Sequence, residues 1–290
     1  MQYGICLRCD QQVTRRAVIK LPSYQARIPC IGGIRRHRRY IGTMDSSPAF
    51  PFSTRDLIHI GFQRLDEARS AFSTLNEYGI GADYIRPIAD ALASALDPDT
   101  AIDNLIGILD GLPQDDDSVR RILEDATAAR RLIAVLGASD KLGKLMRTRA
   151  DLVRAAALDP CHSCDYNRPQ RFAKLLDAVQ AKTLELTDTQ EDGQTHLAYE
   201  SSLPLPEATD RLRAAYRRQL AAIVAVDATA EQPCDIQPRI SKALSDLADA
   251  ALEAALAIAR HETPDSARCR FSVIGMGKLG AQELLSLIHI

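Results

Sequence analysis

The amino-acid sequence predicts a mainly helical protein that leads, near residue 271, into a strand and a glycine-rich turn. Hydrophobic residues make up 46% of the 290-residue chain but aromatic residues only 5%, and alanine and leucine prevail among them. Apolar residues also recur at intervals of three and four between residues 53 and 261. Because β-branched and aromatic residues are scarce, the composition argues against a β-sandwich or β-barrel.

Helix start and stop signals divide the first half of this region. Ser53-Thr54-Arg55-Asp56 is typical of a helix start, and Asp97-Pro98-Asp99 and Gly111-Leu112-Pro113 are typical of helix ends. We therefore predict a helix that begins at Ser53, along which Leu57, Ile60, Leu65 and Ala68 are roughly periodic. We also predict helices over Asp83–Leu96 and Ala101–Leu109, the latter capped by Asp99-Thr100, and another that begins at Ser118. In the second of these, Ile85, Ile88, Ala89, Leu92 and Leu96 share one face.

The second half is predicted to contain longer helices. The segment from Thr187 to Leu205 is rich in Thr, Gln, Glu and Pro and indicates a mobile linker or insertion. We predict helices over Asp140–Leu158, Arg168–Leu186, Pro206–Val226 and Ile240–Arg260. In the last helix the apolar stripe Leu244, Leu247, Ala248, Ala251, Leu252, Ala255, Leu256 and Ala259 predicts core packing. Arg213, Arg217 and Arg218 cluster on the preceding helix, where a solvated face is favoured over a phosphate or acidic partner.

The chain then changes character in a short apolar run that breaks into glycines. Phe271 to Ile274 is predicted to be a buried strand, and the glycine-rich turn, Gly275–Gly280, follows it. Lys278 adds a positive charge beside the exposed backbone amides, and Ala281–Leu284 is predicted to begin a helix. Backbone N–H groups at a helix start favour anions, so this segment is a candidate phosphate site.

Two general nucleotide-binding patterns fit this turn poorly. The spacing of Gly275, Gly277 and Gly280 satisfies the dinucleotide-binding G-x-G-x-x-G, but that motif needs a further strand and an acidic residue about 20 positions on. Only ten residues follow Gly280. A phosphate loop of the G-x-x-x-x-G-K-S/T type fails because Leu279 follows Lys278.

A more specific pattern covers Gly275-Met276-Gly277-Lys278-Leu279-Gly280-Ala281-Gln282-Glu283-Leu284. It resembles the nucleotidyltransferase signature of the glutamine synthetase adenylyltransferase/adenylyl-removing enzymes, in which G-x-G-K-L-G-x-x-E-L continues as Asn-x-x-Ser-Asp-x-Asp. Segments beginning at Leu136, Leu212 and Leu244 also resemble that family, in the same order. A first motif preceded by a long helical run is similar to the N-terminal half of these enzymes, which removes AMP from a tyrosine of glutamine synthetase. The C-terminal half, which adds AMP to that tyrosine, is expected to be absent from this chain. The resemblance also implies that the glycine-rich turn begins a truncated α+β domain.

The resemblance implies a polymerase β-like nucleotidyltransferase domain that uses Mg²⁺ in the intact enzyme. It implies nucleotide contacts from Gly275, Gly277, Lys278 and Gly280, with Glu283 in a structural, supporting role. The implied partners are glutamine synthetase, ATP or ADP, phosphate and a PII-type signal protein.

The sequence departs from the family pattern at Leu285, where the pattern has asparagine. His289 stands where the first of the paired aspartates would fall, so this chain contains neither metal-binding aspartate and is expected to be an inactive fragment. Residues 285–290 also resemble the translation of a sequencing-library adapter, and we expect them to be a truncation scar outside the fold.

Charge is distributed unevenly along the chain. Residues 1–43 hold nine of the 36 Lys and Arg residues but one of the 38 acidic residues, Asp10. We favour a non-native extension, with translation beginning at Met44, over a nucleic-acid-binding arm formed by Arg35–Arg39. The predicted divisions are 1–43 as this extension, 44–195 as a helical region, 196–267 as helices leading into the nucleotidyltransferase domain, 268–284 as the start of its core, and 285–290 as the scar.

The remaining sequence features point to a cytoplasmic protein without a resident metal in this chain. Cys6/Cys9 and Cys161/Cys164 form two C-x-x-C pairs, but their separation does not match a four-cysteine zinc site. No run approaches the roughly 20 apolar residues of a membrane span, so no membrane partner is expected. No nucleic-acid partner is expected either, because the basic segment Arg35–Arg39 is favoured as part of the non-native extension. Two alternatives stay open: a fragment of a dinucleotide-binding (Rossmann) oxidoreductase and a noncatalytic helical interaction module.

Overall fold

Helices dominate the computed structural model, which describes residues 51–113, 117–158, 167–187, 195–263 and 271–285. The sequence prediction of a mainly helical protein is confirmed. The helices are α1 Thr54–Ile60, α2 Leu65–Glu77, α3 Ala82–Ala93, α4 Pro98–Gly111, α5 Ser118–Glu124, α6 Ala126–Ala138, α7 Asp140–Met146, α8 Ala150–Leu158, α9 Arg168–Ala178, α10 Leu205–Ala228 and α11 Pro233–His261. Strands β1 Ala181–Thr187 and β2 Thr195–Ser201 form an antiparallel hairpin between α9 and α10.

The predicted start of the first helix is confirmed at atomic detail. The Ser53 side chain accepts a hydrogen bond from the Asp56 amide, and the Asp56 carboxylate accepts one from the Ser53 amide, so both ends of a capping box are present. The helix is shorter than the apolar spacing indicated, because Gly61 adopts φ +107° and ends it. Leu65 and Ala68 therefore lie on α2 rather than on α1.

Several predicted helix bounds are corrected by the structure. The second predicted helix ends at Ala93, which leaves Leu96 outside it and 72% exposed. The cap of α4 is Asp97 rather than Asp99, because Pro98 occupies the first helical position and the Asp97 carboxylate accepts from the Thr100 amide. The predicted helix over residues 140–158 is two helices. Its break lies at Arg149, whose guanidinium makes two 2.9 Å hydrogen bonds to the Asp151 carboxylate.

The hairpin replaces a predicted helix end and a predicted linker. Residues 181–186 were expected to continue a helix and residues 187–205 to be mobile, but Ala181 pairs with Ser201 and the register continues to Thr187 and Thr195. The helix stops because Gln180 adopts φ +50°, and the Ser201 hydroxyl then donates to the Val179 carbonyl at 2.8 Å. The predicted division between residues 195 and 196 falls within the first two residues of β2 and stays a prediction.

The two longest helices, α10 and α11, carry much of the hydrophobic core. Helix α11 packs against α9, α10 and β2, and Leu247 is fully buried there. Ala255 and Ala259, predicted to belong to the buried stripe, are exposed instead. The buried face of α11 is rotated from the predicted stripe because it meets helices on two sides. It comprises Ile240, Ala243, Leu244, Leu247, Ala250, Ala254, Ala257 and Ile258.

None of the described helices is long and apolar enough to cross a membrane. The predicted extension 1–43 and scar residues 286–290 lie outside the described residues. So do both C-x-x-C pairs, Cys6/Cys9 and Cys161/Cys164.

Candidate functional site

The glycine-rich segment, residues 271–285, does not begin with the strand that its apolar residues predict. Residues 271–276 have no regular secondary structure, and Ile274 is 55% exposed. A strand needs a neighbouring strand to pair its backbone groups, and the sheet that the structure describes consists of β1 and β2 alone. The prediction of a buried strand at Phe271–Ile274 is therefore wrong for this chain.

The glycine-rich turn itself is closed by backbone hydrogen bonds. The amide of Ala281 donates to the carbonyl of Gly277 at 2.9 Å, and the amide of Glu283 donates to the carbonyl of Lys278 at 2.7 Å. A hydrogen bond of 3.1 Å also joins the Gln282 amide to the Leu279 carbonyl. These bonds make a single tight turn, so the helix predicted to begin at Ala281 does not form within the described residues.

Two glycines are required by this geometry. Gly277 adopts φ +64°, a left-handed conformation that costs little only for glycine. At Gly280 an added Cβ would lie 2.5 Å from the Gly275 carbonyl oxygen, too close for any side chain. The predicted glycines therefore lie where the backbone folds back on itself.

Several backbone donors of the turn are unused. Within the part of the chain that the structure describes, the N–H groups of residues 277–280 donate to no protein acceptor. The side chain of Lys278 is exposed and makes no hydrogen bond or ion pair with a described residue. Glu283 is also exposed, and its predicted supporting role stays a prediction. A row of N–H groups with one lysine beside it can hold an anion such as phosphate.

Sequence reasoning missed the residues of α11 against which this segment rests. The Gln282 side-chain amide lies 3.4 Å from the Asp246 carboxylate, and the Leu284 amide lies 3.4 Å from the Ser245 hydroxyl oxygen. Ser245 and Asp246 are both buried, within a helix face that is mostly apolar. That pair of polar residues inside an apolar stripe was the available signal, because buried polar groups need partners.

The clustered arginines of α10 separate onto two surfaces. Arg218 lies 3.7 Å from the Asp151 carboxylate, which Arg149 also contacts; these cations, and Arg149 above all, hold the pKa of Asp151 below its usual range. Arg213 and Arg217 instead line a cavity of about 710 Å³ between α7 and α10. Tyr216 contributes to the same cavity, where burial raises its pKa. This groove is mostly apolar and is separate from the glycine-rich segment.

Metal ligands do not come together in the described part of the chain. Among those residues, no group of three or more His, Cys, Asp and Glu side chains could hold a metal ion. Cys234 is exposed and forms no disulfide.

Comparison with known proteins links this arrangement to one enzyme family. Residues 129–286 match the family model described as glutamate-ammonia ligase adenylyltransferase, and this range contains the whole glycine-rich turn. The chain is 48% identical over 241 residues to the bifunctional glutamine synthetase adenylyltransferase/adenylyl-removing enzyme of Bifidobacterium longum, an alignment that covers 83% of this chain and 21% of that protein. No solved structure matches the chain.

More distant relatives carry the same name. The chain is 34% identical to the Cutibacterium acnes enzyme over 235 residues, which are 80% of this chain and 22% of that protein. It is 35% identical to the Streptomyces coelicolor enzyme over 205 residues, which are 68% and 17% of the two proteins. The chain thus spans about a fifth of the length of the curated relatives it matches. These matches give no support to a Rossmann oxidoreductase or a noncatalytic helical module.

Proposed function

This chain belongs to the glutamate-ammonia ligase adenylyltransferase family, and we propose that it forms part of an enzyme that transfers adenylyl groups on glutamine synthetase. The observation that carries the proposal is the family match over residues 129–286, which spans the last helices of the core and the complete glycine-rich turn. The names of the relatives support glutamine synthetase as the protein substrate.

The glycine-rich turn is the proposed site for nucleotide and phosphate. The N–H groups of residues 277–280 donate to no acceptor among the described residues, and Gly277 and Gly280 allow the backbone to fold into this turn. Lys278 supplies a positive charge next to these donors. Backbone amides and one lysine together favour the oxygens of a phosphate group, because charge-assisted hydrogen bonds are about twice as strong as neutral ones.

The proposed half-reaction is removal of AMP, since a long helical region, α1–α11, precedes the glycine-rich turn. In this reaction an oxygen of inorganic phosphate attacks the phosphorus of the adenylyl group. The bond between that phosphorus and the tyrosine oxygen breaks, the tyrosine hydroxyl regains a proton, and ADP leaves. The role proposed for the turn is to hold phosphate oxygens and offset their negative charge.

Mg²⁺ is proposed only for the intact enzyme. The described residues contain no metal-ligand cluster, and Leu285 and His289 stand where the family pattern has asparagine and the first aspartate. These residues do not fit a magnesium site. We expect the 290-residue chain alone neither to remove AMP from adenylylated glutamine synthetase nor to add it. Magnesium-dependent ADP formation by the purified chain, followed by chromatography, would contradict this.

Binding of ADP to the 290-residue chain tests the phosphate site directly. Lys278→Ala is expected to weaken ADP binding roughly 10- to 100-fold, because one charge-assisted hydrogen bond contributes about 1.5 to 3 kcal/mol. Lys182→Ala is the matched control, since Lys182 is an exposed lysine on β1. Isothermal titration calorimetry should show the loss only for Lys278→Ala. Equal affinity in all three proteins would remove Lys278 from the site, and no binding to the unaltered chain would overturn the phosphate role of the turn.

A further inference from the structure

A buried carboxylate on α11 faces the residues that follow the glycine-rich turn. Asp246 is only 2% exposed, although it is a charged residue on a helix face shared with Leu247 and Ala250. A carboxylate in this position is costly unless its oxygens have partners. Lys242 contacts one oxygen at 2.6 Å, and the side-chain amide of Gln282 lies 3.4 Å from the other. The glycine-rich segment thus supplies one of the partners that this carboxylate needs.

A second buried polar group acts one residue earlier on the helix. Ser245 is fully buried, and its hydroxyl donates to the Ser241 carbonyl at 2.8 Å. The oxygen of that hydroxyl remains available as an acceptor, and the Leu284 amide lies 3.4 Å from it. The Leu284 side chain packs against the hydrophobic core beside these contacts. The two 3.4 Å hydrogen bonds from Gln282 and Leu284 are long and individually weak. Residues 282–284 are therefore held against α11 by these two bonds and the packing of Leu284 in combination.

These contacts bear on the shape of the turn. Gln282 adopts φ +57°, a left-handed conformation that costs a non-glycine residue roughly 1 kcal/mol or more. The amides of residues 281–283 close the turn by donating back to carbonyls of residues 277–279. If residues 282–284 leave α11, only the backbone hydrogen bonds of the turn itself remain to hold the left-handed conformation at Gln282, and the turn opens more readily.

We infer that Asp246 and Ser245 are positioning residues that hold the glycine-rich turn in the conformation that binds phosphate. This inference rests on the phosphate role proposed above for the turn. The two residues act through Gln282 and Leu284 and do not contact the ligand. The polar pair within the apolar face of α11 thereby links the helical core to the nucleotide site.

Amide hydrogen exchange in the 290-residue chain tests the positioning role independently of ligand binding. Asp246→Ala is expected to accelerate exchange of the amides of residues 281–284 at least 10-fold and to weaken ADP binding about 10-fold. Lys242 then remains hydrated, because its side chain is 55% exposed. Asp249→Ala is the matched control: Asp249 lies one turn further along α11 and pairs with Arg168 at 3.0 Å. It should leave exchange in residues 281–284 unchanged.

A change on the other side of the contact covers the case in which Asp246→Ala fails to fold. Gln282 is exposed, so the Gln282→Ala protein should fold normally, and the amides of residues 281–284 should exchange faster in it. In the double variant Gln282→Ala/Asp246→Asn, the increase in exchange rate should be smaller than the product of the increases in the two single variants, because both changes remove the same contact. Unchanged exchange in Gln282→Ala, or equal acceleration in Asp249→Ala, would overturn the inference. Failure of the unaltered chain to bind ADP would overturn the phosphate role instead, while the exchange rates would still decide the positioning.

Discussion

The helical region, residues 54–261, and the glycine-rich segment, residues 271–285, are held in shape by different forces. Leu132 and Leu247 in the helical region are fully buried, whereas Ile274 and Met276 in the segment are 55% and 49% exposed. Burial of apolar surface stabilises the first region, while the second depends on backbone conformation and a few contacts with α11. We therefore expect that the stability of this chain and its proposed ligand site can be altered separately.

The largest difference is expected for truncation of apolar side chains. Leu247→Ala should lower the free energy of unfolding by about 3 kcal/mol, because it leaves a cavity in a fully buried position. Ile274→Ala should change it by less than about 0.5 kcal/mol. Urea unfolding followed by circular dichroism measures both. A comparable loss for Ile274→Ala would show that the segment belongs to the same cooperative core.

The next largest effect is expected when a substitution prevents the glycine-rich turn from closing. Gly280→Ala places a Cβ against the Gly275 carbonyl oxygen, so we expect at least about 10-fold weaker ADP binding, equivalent to about 1.4 kcal/mol, with an unchanged melting temperature. Ser272→Ala, also exposed in this segment, is the control and should bind normally. If Gly280→Ala lowers the melting temperature and leaves ADP binding unaltered, the turn contributes to stability and not to phosphate binding.

A smaller effect is expected from the carboxylates of the helical region on acidification. Hydrogen bonding to Arg149 lowers the pKa of Asp151, so its contribution to stability is complete above the unfolded value of about 3.9 and is lost as pH falls through the lower folded value. Asp151→Asn should cost about 1 kcal/mol at pH 7 and flatten the loss of stability between about pH 5 and pH 2.

The matched change in the glycine-rich segment is Glu283→Gln. Its side chain makes no hydrogen bond or ion pair with a described residue, so the acid unfolding curve should follow that of the unaltered chain. Urea unfolding at a series of pH values provides both comparisons. An Asp151→Asn curve parallel to that of the unaltered chain would contradict the proposed contribution of the Arg149 contact.

The smallest effect concerns the two left-handed glutamines, one in each region. Gln180→Gly should raise the free energy of unfolding by about 0.5 kcal/mol, because it relieves the conformation at φ +50° that ends α9. Gln282→Gly, at φ +57°, should leave global unfolding unchanged, since the segment opens independently of the core. Equal shifts at both positions, measured by urea unfolding, would indicate a single cooperative unit.

Much of the helical region could be predicted because its signals are local. The Ser53 cap and the long periodic helices α10 and α11 depend on residues close together in sequence. The hairpin could not be predicted in the same way. Its strands pair residues 8 to 20 positions apart, and the change from helix to strand at Gln180 depends on contacts with residues 201–202.

The sequence identified the glycines of the turn and Lys278 as candidate site residues, but it did not identify the residues of α11 that contact the turn. The motif names residues that form the turn, and the structure shows why Gly277 and Gly280 must be glycine. The predicted strand at Phe271–Ile274 was wrong because strand formation requires a neighbour that the described residues do not supply. Ser245 and Asp246 contact the segment across about 40 positions, a distance over which spacing in the sequence carries no information.

Titration of the ¹⁵N-labelled 290-residue chain with ADP tests the central claim most directly. We expect saturable chemical-shift changes at the amides of residues 277–280, the groups that lack protein acceptors in the described structure. These changes should disappear in Gly280→Ala and weaken in Lys278→Ala, while the amides of the helical core remain unaffected. Saturable changes confined to other residues, or none at any ADP concentration, would contradict the proposal that the glycine-rich turn holds phosphate.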